Sequence, residues 1–92
     1  MRCAARTDRN HAAIRAALRR IGASVCDASR LGDGAPDLLV SFRGRISFLE
    51  VKSPRGRLTA AQILFHAQHP VSIVHSIDDA LEAIGALAKP RR

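Results

Sequence analysis

Tryptophan and tyrosine are absent from this 92-residue chain, and phenylalanine occurs three times. Proteins that hold single-stranded nucleic acid stack successive bases on aromatic rings, so that mode of binding is nearly excluded. The two cysteines, Cys3 and Cys26, are too few for a tetrahedral zinc site. With no apolar signal segment near the N-terminus, they also argue against a disulfide-bearing secreted protein. No apolar run approaches the roughly 20 residues that span a bilayer. The expectation is a cytoplasmic protein with no membrane partner. Lysine and glutamate are scarce too, with two of each against 13 arginines.

The 15 basic residues outweigh 8 acidic ones to give a net charge of +7, which selects an anionic partner. A membrane surface would call for a basic amphipathic helix with large apolar anchors. None is present, so nucleic acid is favoured, held through its backbone phosphates. The length suits one domain with a modestly stabilising core, for which pairing with a second copy as a homodimer is the natural expectation.

Ile14, Ala17, Leu18 and Ile21, with Asn10 ahead of them, recur at helical spacing and predict a helix over about 8–21, stopped by Gly22. A short strand over 23–27 and a glycine-bearing loop through Gly32 and Gly34 follow. Pro36 suits the first position of the next strand. Two apolar runs, 37–42 and 45–52, predict a hairpin turning at Arg43-Gly44. Ser53-Pro54-Arg55-Gly56-Arg57 is too rich in breakers for regular structure, and Thr59-Ala60-Ala61-Gln62 has the pattern of a capping box opening a helix to about residue 68. Pro70 ends that helix; a strand over 71–76 and a helix from Ser76 to Gly85 complete the core, leaving 86–92 as a basic tail. In the fourth strand, Val71, Ile73 and His75 alternate with Ser72, Val74 and Ser76, which predicts a packed face and makes His75 a packed strand-end histidine. The order αβββαβα predicts an α/β domain, a small mixed sheet flanked by helices. There are no repeats.

The chemistry concentrates in the hairpin. Side chains two apart on a strand share a face, so Glu50 and Lys52 emerge together while Val51 turns into the core. Folding at Gly44 brings Asp37 beside them. Two carboxylates and an ammonium form a constellation that can hold a hard divalent cation against a phosphodiester. Lysine's compact, losable charge suits the handling of water, which arginine's fixed fork does not.

Gly34-Ala35-Pro36-Asp37-Leu38-Leu39-Val40, then Phe48-Leu49-Glu50-Val51-Lys52, then Leu58-Thr59-Ala60-Ala61-Gln62 together resemble the virus-type replication-repair nuclease (VRR-NUC) domain of the PD-(D/E)xK nuclease superfamily, in the small stand-alone form of phages and bacteria. The resemblance covers about residues 8–85. It implies a restriction-endonuclease-like core in which Asp37, Glu50 and the Val51 carbonyl bind Mg²⁺ or Mn²⁺. It further implies that Lys52 positions or activates the attacking water, that Gln62 completes the site, and that branched DNA is cut as by junction-resolving enzymes. Relatives often carry an acidic residue on the first helix; here that face shows Asn10, with Asp8 a little earlier.

Several residues admit a second account. Gln62 is explained by the capping box alone, and Asn10 by a capping or buried amide. Arg55 and Arg57 sit where phosphate contacts would help, yet loop charges are commonly just solvated. His66 and His69 are spaced to share a metal but lack further ligands nearby. Cys26 fits a small buried hydrophobe. The rival functions are a catalytically inactive DNA-binding module and an accessory subunit of a replication or repair complex.

Overall fold

The computed structural model describes residues 6–88. Cys3 and residues 89–92 of the basic tail lie outside them, as does the side chain of Asp8. The elements run α1 (Arg6–Arg20), β1 (Ser24–Asp27), a short 3-10 turn (Ser29–Leu31), β2 (Leu38–Phe42), β3 (Arg45–Val51), α2 (Ala60–Gln68), β4 (Val71–Val74) and α3 (Ile77–Ala83). This is the order αβββαβα. The strands stand in the sheet as they do in the chain, with β1 and β2 antiparallel, β2 and β3 antiparallel, and β3 and β4 parallel. A parallel pair needs a crossover, and α2 supplies it.

The hairpin turns where two consecutive residues take positive φ, Arg43 at 51° and Gly44 at 78°. That is the primed turn whose twist matches the flanking strands. Its register pairs Leu38 with Leu49, so the next step outward sets Asp37 opposite Glu50, on one face.

The other face carries the core. Ile14 and Leu18 of α1, Leu38 and Val40 of β2, Leu49 and Val51 of β3, Val74 of β4, and Ala80 and Ile84 at α3 are buried together. α1 and α3 therefore cover this face. α2 meets the opposite one through an edge-to-face contact of Phe65 on Phe48, 6.2 Å between centroids. Among the described residues α2 buries no side chain, and Ile63 and Leu64 are 58% and 61% exposed.

Three burial expectations are corrected. Cys26 is exposed, because β1 is an edge strand with one neighbour. In β4 the buried residue is Val74, not the Val71 and Ile73 phase, and Ile73 is 43% exposed. Val74 meets α1 and α3, whereas Ile73 lies on the thinly covered α2 side. The third is His75, expected to pack at the strand end: it lies one residue beyond β4 and is exposed. Among the described residues no helix is long and apolar enough to cross a membrane.

Candidate active site

Asp37 enters β2 with its backbone already held, its carbonyl accepting from Ala28 N–H at 2.8 Å. Its Oδ2 accepts from Val51 N–H at 2.8 Å, which ties the carboxylate to the end of β3. Across the hairpin, Glu50 is 2% exposed. Its Oε2 accepts from Gln62 Nε2 at 3.3 Å and lies 3.9 Å from Lys52 Nζ, while its buried Oε1 has no partner. A carboxylate taken out of water resists ionisation. Burial foremost, then the charge of Asp37, push the Glu50 carboxyl up to about 7, and Lys52 pulls the other way.

Gln62 caps α2 and also reaches Glu50. Its N–H donates to Thr59 Oγ1 at 3.2 Å and its Oε1 accepts from Thr59 N–H at 2.9 Å, a complete capping box. The amide oxygen is thereby committed to the helix end, so the amide nitrogen faces Glu50. α2 is set at this height by Gly34: a Cβ there would lie 2.1 Å from the Ala61 carbonyl oxygen, and φ at Gly34 is +78°.

Around this centre lies an open cleft of about 750 Å³, lined among others by His11, Arg15, Asp37, Glu50, Lys52, Arg57 and Gln62. It gathers Asp37, Glu50, Val51, Lys52, Gln62 and Arg57. Arg55 is exposed and does not line it. Asn10 does not line it either, since its amide donates to the His75 carbonyl at 3.2 Å. His66 on α2 and His69 just past its end do not line the cleft, and His69 packs on Phe65 at 4.3 Å between ring centroids.

His11 holds the α1 position for which Asn10 was the sequence candidate. Its Nε2 lies 3.5 Å from Asp37 Oδ2, and its Nδ1 is 2.6 Å from Arg15. A guanidinium only donates, so Nδ1 accepts and the ring proton sits on Nε2, directed at Asp37. In this arrangement Nε2 has no lone pair for a metal. The spacing carries the signal, since His11 precedes Ile14 by three and Leu18 by seven positions, the same helical stripe. Arg15, Asp27 and Ser29 also line the cleft. Asp27 Oδ1 accepts from Ser29 Oγ at 2.6 Å and from its N–H at 3.0 Å, which hold Asp27 below its ordinary range.

The centre suits a hard divalent cation. Two carboxylates face one another, one of them buried with an orphaned oxygen, and a positive charge between them would relieve both. Among the described residues no three His, Cys, Asp or Glu side chains converge.

No protein-family model and no curated protein matches the chain. A solved structure described as a VRR_NUC domain does, with a TM-score of 0.73 and 29% sequence identity over 88% of this chain and 96% of that one. This likeness supports a VRR-NUC domain. Its mixed four-stranded sheet with three helices is the restriction-endonuclease-like fold of that family. Within that fold, the α1 wall of the cleft carries a histidine paired with an arginine, His11 and Arg15.

Proposed function

We propose that this chain is a metal-dependent endonuclease acting on DNA, with branched or junction DNA as its substrate. The observation that carries this reading is the buried Glu50 carboxylate, one oxygen unpartnered, facing Asp37 across the hairpin. The likeness to a VRR_NUC domain supports it.

Asp37, Glu50 and the Val51 carbonyl would hold Mg²⁺ or Mn²⁺. When bound, the cation would polarise the phosphate and lower the pKa of water. Lys52, beside Glu50, orients the attacking water and offsets charge gathering on the phosphate oxygens. Gln62 fixes the rotamer of Glu50. His11 keeps Asp37 Oδ2 engaged, leaving Oδ1 for the cation. Arg15 and Arg57 line the cleft as phosphate contacts, and Arg55 extends the basic surface beyond it. A homodimer, supported by exposed Ile63, Leu64, Ile73 and Ile46, would present two sites to a branch. Sedimentation of the purified protein tests it, and a monomer at micromolar concentration refutes it.

The activity is tested by incubating the protein with duplex, flap, splayed and four-way DNA, with and without Mg²⁺ or Mn²⁺. Cleavage that requires the ion and favours the branched forms is expected. Retention of DNA with no cut under any condition would leave the inactive binding module as the correct reading.

A further inference from the structure

We propose that His75 is a positioning residue for Lys52, tying the end of β3 to α1 and α3 through its ring and both of its backbone polar groups. β3 ends at Val51. Lys52 is thus the first residue past the strand, followed by a serine, a proline without an N–H, and a turn. The Lys52 N–H is still held by the Val74 carbonyl at 3.1 Å. Its own carbonyl has no strand to pair with, and His75 Nδ1 lies 2.7 Å from it. A carbonyl only accepts, so Nδ1 carries the ring proton and donates.

The rest of His75 is anchored as firmly. Its N–H donates to Asp79 Oδ2 at 2.9 Å, and Asp79 N–H donates to Ser76 Oγ at 3.1 Å, which places the anchor in the first turn of α3. Its carbonyl accepts from Asn10 Nδ2 of α1 at 3.2 Å. One residue therefore joins the Lys52 peptide to both helices that cover the core.

A long, flexible side chain takes its direction from its Cα–Cβ bond, and that bond follows the peptides on either side. Holding the N–H alone would leave the peptide after Lys52 free to rotate. The loop beyond it folds back, with Gly56 so close that a Cβ there would lie 3.3 Å from Lys52 Cδ and 3.2 Å from the Ser53 carbonyl oxygen. Rotation of that peptide would carry the loop against the Lys52 stem and move Nζ from its place beside Glu50. A displacement of about 1 Å at a reacting group can lower a rate by around a hundredfold.

The catalytic consequence rests on the nuclease reading, whereas the contact itself does not, and two measurements keep them apart. Nitrogen NMR of the ring should find the proton of His75 on Nδ1. Single-turnover cleavage at saturating metal should fall roughly tenfold to a hundredfold in His75→Ala at unchanged DNA affinity. His75→Asn, whose amide nitrogen replaces Nδ1, should restore most of the rate, and His75→Gln, whose amide reaches further, should not. A proton on Nε2, full activity in His75→Ala, or equal rescue by Gln and Asn would overturn the proposal. Should the parent cut nothing, the nuclease reading fails, and exchange of the Lys52 amide then decides the contact: faster exchange in His75→Ala sustains it, unchanged exchange ends it.

Discussion

Glu50 is held in a state its own chemistry opposes. A carboxyl pushed from 4.5 to about 7 binds its proton more tightly folded than unfolded, so the fold gains nothing from ionising it. The sign follows: the metal-free protein loses stability as pH rises from about 4.5 to 7, and the loss is complete above that, amounting to about 3 kcal/mol at 1.36 kcal/mol per pKa unit. Melting curves in EDTA at pH 5 and pH 8 should show this fall. Glu50→Gln should flatten it and raise the melting temperature at pH 8, while abolishing cleavage, as Asp37→Asn should too. A pH 8 melting temperature lowered by Glu50→Gln would contradict the burial account. Lys52 differs in kind, its Nζ making only a long contact with Glu50, at 3.9 Å. Lys52→Ala should leave the fold and DNA binding intact and slow single-turnover cleavage by about a hundredfold. Arginine should not rescue it, because its fork cannot give up a proton. Full activity in Lys52→Ala would remove this residue from the mechanism.

At the scale of elements, the height of α2 over the sheet decides whether Gln62 reaches Glu50, and Gly34 sets that height. Alanine at 34 must displace the Ala61 peptide and also adopt positive φ, whereas at Gly32, also at positive φ (+77°), a Cβ meets open space. Gly34→Ala should therefore cost about 2–4 kcal/mol in urea unfolding and Gly32→Ala about 1; equal costs would show that α2 is not seated on this loop. The difference between the elements also accounts for what sequence could reveal. Asp37, Glu50 and Lys52 are legible because strand alternation and a two-residue turn dictate a face and a register. His11, Ile73 and Cys26 are not, because their surroundings depend on which sheet face a helix covers and how closely. α1 presents two adjacent residues, Asn10 and His11, to different neighbours, and only the packing of α1 on α3 determines which one meets Asp37. Likewise, α2 has an apolar composition but buries none of its side chains, so periodicity in β4 points to the wrong phase.

The whole molecule carries +7, and phosphate neutralisation should dominate its hold on DNA. Affinity should fall steeply as salt rises and change little with base sequence; a flat salt response measured by fluorescence anisotropy would exclude this. The order of the sheet has a further effect, on the time course of folding. Because β1, β2 and β3 stand side by side as they are made, each closes on its predecessor through a nearby connection, and such local pairings form early, whereas β4 joins only after the α2 crossover. The packing of α1 on α3, with the bond from Asn10 to His75 across 65 positions, closes the longest loop and should form late. We expect φ-values to be high in the β2–β3 hairpin and low in α1, with the reverse pattern refuting the order. A chain emerging from the ribosome would then set Asp37 opposite Glu50 early, in the hairpin, and whatever cutting power it has would switch on only when α1 closes on α3 and fixes His75 behind Lys52.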